Sequence, residues 1–337
     1  LNEIYEKEAE ELEPWKDSPG EISRDDWRDF LGKREWVCWN DWVGCADGVS
    51  RYQRAFIDFF EDQLVSTRYH LEELLDEYLF GGKEPLINGL IAGRTYGSRI
   101  RGYYTNSMFV VAHPLIHLGY AYELESKTVA IEALALAACF YNPLHKYIDD
   151  PKYTKLHGGG GSATSLHEIL DMVREDEGFD NLYTHPSGDI NKVFEQHEEA
   201  LLNYWNAWSI TDPTEQFEEA QQIAAAMVAQ TNQEGKFSFF FVHVLTSSHA
   251  IRILLPLVPA KFHVNLIRQW WLFTLAVYIA QMRPSLEPGG VERYNIKGRT
   301  WKHVVHSALE GPHSKDAHYV KSEFFCSLIL VRLRADE

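Results

Sequence analysis

No two of the four cysteines in this chain stand at a CxxC spacing. Cys38, Cys45, Cys139 and Cys326 are scattered, two of them inside apolar runs, and they read as reduced, buried thiols of a cytoplasmic protein rather than as a disulfide framework. Positive charge is also scarce. Lys and Arg number 32 against 49 Asp and Glu, a net charge of −17, which argues against a nucleic-acid binder and against a polybasic membrane dock. No apolar run is long enough for a membrane span: the longest are broken by His243, His249 and Arg252, or are short, as in WWLFTLAVYIAQM. No signal peptide is visible. Also missing are GxGxxG after a strand, a P-loop, GxSxG and HExxH, so a conventional nicotinamide or flavin fold has no direct support.

Apolar residues make up 45% of the 337 positions and aromatics 13%, enough for a large core and a surplus that suits a pocket for a flat apolar ligand. Helical periodicity dominates. RYQRAFIDFFEDQLV is amphipathic; LEELLDEYLF ends at Gly81-Gly82; KTVAIEALALAACFYN is apolar nearly all round and therefore central. VFEQHEEALLNYWNAW and TEQFEEAQQIAAAMVAQT carry acidic outer faces, and two apolar helices end at Pro256 and before Pro284. Period-two alternation is nearly absent, REWVCWNDWVGCADG being the main exception, and it stays open as strand, loop or helix. The expected fold is therefore mostly α: a single large helical globule over residues 1–337, with a pocket between its central helices. Residues 150–190, rich in Pro, Gly, Asp and Ser, read as a long surface connection, and HGGGGSATS at 157–165 reads as holding an engineered linker, 158–162. The opening LNEIYEKEAEELEPW lacks Met and starts inside a helical pattern, so residues upstream are expected to be missing.

Several of the fifteen histidines stand where apolar residues would be expected. In HPLIHLGYAYELE, Pro114 suits the first helical position, so His113 would cap the helix, and His117 follows one turn on, a pair that either shares a metal or lines a core helix. His243 interrupts a run of Phe and Val. A buried imidazole needs a partner, and Ser247 is one turn away. His249, six residues on, points to the opposite side. Near the C-terminus, Ser314 reads as the cap of an otherwise apolar helix bearing His318 and Lys321 on the face shared with Phe325 and Leu328. Lys321 is either a snorkelling surface lysine reaching Asp316, or a desolvated amine able to act as base, nucleophile or carbamate. Glu123 and Asp149-Asp150 read as solvated or helix-terminal acids.

Six segments in order, GGKEPLINGLIAG, HPLIHLGYAYELES, YNPLHKYIDDP, HVLTSSHAIRILLP, QWWLFTLAVYIAQMRP and KHVVHSALEGPHSKDAHYVKSEFF, together resemble the questin oxidase-like family of polyketide-tailoring oxidoreductases, over about residues 1 to 330. The resemblance implies oxidative opening of anthraquinone-type rings. For one relative it implies a non-haem iron held by four histidines and a carbamylated lysine. Carried onto this sequence, the metal ligands are His113, His117, His243, His318 and Lys321, with Lys321 bearing the carbamate and Lys321 and His318 the catalytic pair. The fourth histidine stays open, with His70, His145 and His249 as competitors. The resemblance also implies a histidine-rich helix upstream of the position where this sequence begins, a further source of one pocket histidine. RTYGSRIRGYYTNSMFVVA, at 94–112, is longer than the family's approach to HPLIH and is either a lid or a strand-like insertion.

Three functional readings follow. The first is an Fe(II)-dependent dioxygenase that takes O2 and a hydrophobic aromatic small molecule, with Trp270, Trp271, Tyr120 and Phe240 as candidate substrate contacts and Arg252 or Arg283 as anchor for a phenolate or carboxylate. The second is a Baeyer–Villiger-type monooxygenase on the same substrate class with NADPH as electron source. The third is a non-enzymatic carrier of a flat aromatic ligand. Nucleic-acid and membrane partners are not expected.

Overall fold

The structure, a computed structural model, describes residues 21–33, 36–37, 49–83, 85–91, 95–100, 103–108, 112–141, 143–154, 165–231, 238–290, 293, 298–316 and 319–322. Its architecture is helical, with two short antiparallel hairpins. Strand β1 (Trp36–Val37) pairs with β2 (Val49–Ser50), and β3 (Thr95–Ile100) pairs with β4 (Tyr103–Met108) in the register Thr95 to Met108. The second hairpin shows strands at 95–100 and 103–108, within the segment read as a lid or a strand-like insertion.

Helices α1 (Arg51–Ser66) and α2 (Leu71–Tyr78) precede the β3–β4 hairpin; α3 (His113–Glu123) and α4 (Lys127–Cys139) follow it. Helix α4 starts where Ser126 accepts a hydrogen bond from the Val129 N–H, satisfying one of the open donors of its first turn. Nine of its thirteen residues are buried, because small alanines let α1 and α3 pack closely on two sides of it. The all-round apolar pattern thus marks the centre, as expected from the sequence. The short helix α5 (Lys146–Asp149) comes next.

Helix α6 (Leu166–Glu175) falls inside the segment expected to be a surface connection. Ser165 caps it, and Leu166, Ile169, Leu170 and Val173 bury a stripe at helical spacing. The Pro, Gly and Ser residues on either side obscured that period. Helices α7 (Asn191–Ala207) and α8 (Pro213–Gln230) follow; α8 opens on Asp212, whose carboxylate accepts from the N–H groups of Thr214 and Glu215, with Pro213 at its first position. Helix α9 (Phe239–Leu254) packs on α3, α8 and α10 (His263–Ala280), and α11 (Trp301–Glu310) ends the described long helices with none of its residues buried.

One contiguous apolar cluster runs through these elements. Within it Tyr78 meets Trp27, Phe59 and Phe60 edge to face, with ring centroids 5.3 Å apart for Trp27–Tyr78. Trp270 and Trp271 of α10 lie fully buried. Among the described residues no helix is long and apolar enough to cross a membrane. The cysteine among them, Cys139, is buried. The N-terminal segment, the glycine-rich 158–162 and the other three cysteines lie outside the described residues.

Candidate functional site

Helices α3 and α9 run side by side in the same direction. His113 meets His243 near one end, Gly119 meets Ala250, and Glu123 meets His249 near the other. The contact at Gly119 is intimate: a Cβ there would sit 2.6 Å from the Ala250 Cβ, so only glycine lets the helices approach this closely. Ala112 precedes α3 in the left-handed region, φ 51°, and is buried. That conformation is costly for a residue with a Cβ, and it turns the chain so that His113, not Pro114, is the first helical residue. The expected side-chain cap by His113 is therefore absent from the cap position, and its imidazole reaches α9 instead.

The His113 Nε2 stands 3.3 Å from the Nε2 of His243, with ring centroids 5.2 Å apart. His243 is 4% exposed. Its Nδ1–H donates to the Phe239 carbonyl at 2.7 Å, which fixes the tautomer and leaves a lone pair on Nε2. Ser247, the expected partner of this imidazole, bonds the His243 carbonyl instead, so the ring is satisfied by the backbone one turn earlier and by a second imidazole. Two nitrogens each at about 2.0–2.1 Å from one cation, in adjacent positions, stand about 3.0–3.4 Å apart, and the observed separation falls in that range.

One turn along α3, the His117 Nδ1 points to Glu132 of α4, 3.4 Å from Oε2. The contact is too bent for a regular hydrogen bond, yet attraction to His117 outweighs burial and holds the Glu132 carboxyl below its ordinary value. An acceptor behind Nδ1 is the arrangement that orients a metal-ligating histidine through its other nitrogen, and both His117 and His243 have one. The rings of His113 and His117 are 6.1 Å apart.

Lys321 reaches the same side of α3. Its Nζ lies 5.9 Å from the centre of the Tyr120 ring, and burial lowers its pKa from the usual 10.5. The helical turn carrying it is capped by Asp316, whose carboxylate accepts from the Tyr319 N–H, rather than by Ser314; Ser314 stands two residues too early, in the preceding turn. Tyr120 is pushed up to about 12 by burial, with Glu123 adding to the effect, so it stays a neutral phenol. His318 lies outside the described residues. Among the described residues no three His, Cys, Asp or Glu side chains form a metal-binding group. The structure places the His113 imidazole against that of His243, His117 one turn along α3, and Lys321 beside Tyr120. Imidazole donors of this kind suit a divalent transition metal.

The competing histidines stand apart from this pair. His70 pairs with Glu73, and His145 with Asp149, which also accepts from Asn88. His249, 4% exposed, faces both Glu123 carboxylate oxygens at 3.3 Å through Nε2, and its Nδ1 accepts from Arg252 at 2.9 Å. Glu123 and Asp149 are the last residues of α3 and α5, the helix-terminal places expected of them, and each also meets an imidazole.

The candidate substrate contacts divide. Tyr120 and Phe240 are half-buried, Tyr120 beside Lys321 and Phe240 beside Phe239. Trp270 donates its indole N–H to the Val244 carbonyl and packs edge-on to Phe217, a core position; Trp271 is equally buried against Trp208. Arg283 donates to the carbonyls of Val173, Arg174 and Asp176 at the end of α6 and to Asp180, so its guanidinium holds the fold together there. Sequence reasoning passed over Phe239, whose ring centre lies 4.4 Å from that of His243, and it also passed over Glu132, Gly119 and Ala112. The position of Phe239, one turn before His243, was the available signal for the first; nothing local marks the others.

Comparison with known proteins agrees with this arrangement of motifs. The family model described as questin oxidase-like matches residues 1–323. A Baeyer–Villiger oxidase of Pestalotiopsis microspora is 24% identical over 285 residues, covering 79% of this chain and 60% of that protein, so the chain spans well under the full length of this curated relative.

Proposed function

From the premise that the chain belongs to the questin oxidase-like family, we propose that it is an oxidoreductase acting on a flat aromatic polyketide. It opens an anthraquinone-type ring with O2, using a non-haem iron(II) held by His113, His117, His243, His318 and Lys321 as its carbamate. The observation that carries this reading is the 3.3 Å approach of the His113 and His243 Nε2 atoms, with the His243 tautomer fixed from behind. When bound, iron(II) supplies the oxygen-binding and one-electron chemistry that side chains lack.

The chain's own residues supply the rest. The Phe239 carbonyl and Glu132 orient two imidazoles. Lys321, with its lowered pKa, reaches the neutral amine form more readily than a solvated lysine. Its Nζ lone pair can add to the carbon of CO2, and loss of one proton leaves an anionic carbamate, an oxygen donor in place of a cation. Tyr120, kept as a phenol, offers an O–H to a substrate carbonyl or phenolate. Phe239 and Phe240 give a flat substrate an aromatic wall beside His243.

Oxygen uptake with a hydroxyanthraquinone tests this reading: uptake that needs no NADPH and stops with an iron chelator supports it, while uptake that needs NADPH and ignores the chelator overturns it. The second outcome would support the alternative favoured by the name of the Pestalotiopsis relative, an NADPH-dependent Baeyer–Villiger-type monooxygenase on the same class of substrate. Unchanged ligand binding with no turnover under either condition would favour a carrier.

A further inference from the structure

The α3–α9 seam carries a second ionisable group that the proposed chemistry does not use. Glu123 of α3, His249 of α9 and Arg252 of α9 form a chain in which the imidazole sits between a carboxylate and a guanidinium. The hydrogen-bond directions are fixed by chemistry. Arginine has no acceptor, so His249 must accept at Nδ1; the carboxylate is an acceptor, so His249 must donate from Nε2. His249 is thereby locked as a neutral Nε2–H tautomer, and neither nitrogen is disposed to work as a base. Its Nε2–H links α9 to α3, and its Nδ1 braces that link against Arg252 within α9. The contact lies one turn beyond the Gly119–Ala250 contact, and the His113–His243 pair lies on the other side of it. A rigid helix transmits a shift at one end of such a seam to the other, because interdigitated packing has few intermediate positions.

We propose that His249 is a positioning residue: by joining Glu123 to Arg252 it fixes the register of α3 on α9 at which the His113 and His243 Nε2 atoms converge. The proposal rests on the functional reading above only for the consequence that this convergence serves a metal.

Three variants separate the possibilities. His249→Leu removes both hydrogen bonds from a buried position. His249→Gln keeps an amide N–H for Glu123 and a carbonyl for Arg252. Glu123→Ala removes the α3 half of the bridge at a position open to solvent, so the folded state tolerates it. Two readouts are taken on folded protein: imidazole nitrogen NMR of the metal-free form, which reports the His113–His243 contact, and cobalt(II) titration followed by visible absorption. Expected is a parent-like result for His249→Gln. In His249→Leu and Glu123→Ala the His113 nitrogen signals should shift toward those of an unpaired, tautomer-averaged ring and the His243 Nε2 signal toward that of an unpaired nitrogen, and cobalt should bind about tenfold more weakly, as for loss of other supporting residues around a metal. If Glu123→Ala and His249→Leu both keep the parent's imidazole signals, the positioning role is overturned; should His249→Leu fail to fold, Glu123→Ala decides alone. A parent that binds no cobalt would defeat the metal reading, and the imidazole signals would still judge the positioning role.

Discussion

The two histidines of α9 sit six residues apart, are equally buried, and are treated in opposite ways. His249 is closed: a carboxylate and a guanidinium of the same chain occupy its two nitrogens and balance each other's charge. His243 is held differently: the Phe239 carbonyl accepts from its Nδ1, and its Nε2 meets a second imidazole, from α3. Burial alone therefore does not distinguish two roles for a histidine. The chemistry of the neighbours does: a carboxylate and a guanidinium at one, a carbonyl and an imidazole at the other.

The contrast can be broken most severely at His243. His243→Ala should abolish metal retention and lower turnover by more than about 100-fold, beyond the 10- to 100-fold typical of residues that merely support a ligand. His249→Gln should keep metal content at the parental level, and elemental mass spectrometry of both variants checks the pair.

Next comes the contact between the two ends. Gly119→Val should force α3 from α9 and destabilise the fold by about 1–3 kcal/mol, seen as a lower denaturant midpoint, because its Cβ would meet Ala250 at 2.6 Å.

A smaller effect separates the histidines by pH. Burial first, then Arg252, depresses the His249 pKa below 6.5 against the pull of Glu123. A base whose folded value is depressed resists protonation that the unfolded chain accepts. Its contribution is thus complete above about pH 6.5 and is lost as the pH falls from there through the lowered folded value. Denaturant melts between about pH 7.5 and 5.5 should show a shallower loss in His249→Gln than in the parent.

The smallest change is Ala112→Gly. Relief of the left-handed alanine should raise stability by about 0.5–1 kcal/mol at most, offset by the extra freedom of the unfolded chain, while His113 loses its fixed entry and metal affinity falls by a few-fold. A metal titration beside a thermal melt reads both.

Much of the fold was legible because helices advertise themselves by period and cap. The alanine-rich KTVAIEALALAACFYN could only be central, and TEQFEEAQQIAAAMVAQT showed the period of α8. Helix α6 was hidden because its apolar stripe is short and flanked by loop-forming residues. At the site, unusual placement drew attention to His113, His243 and Lys321. Their partners were not readable, since the Phe239 carbonyl, Glu132 and the Gly119–Ala250 contact depend on how α3, α4 and α9 pack. Arg283 and Trp270 show the converse. Their residue types suit a ligand site, but the fold uses one to tie down the end of α6 and the other to fill the core.

The most direct test of the account is the iron content of the purified chain by elemental mass spectrometry, alongside His113→Ala and His243→Ala. The account predicts about one iron per chain in the parent and a loss of it in both variants, as expected when a site of neutral imidazoles loses one of its converging pair. No bound metal in the parent, with turnover intact, would contradict it.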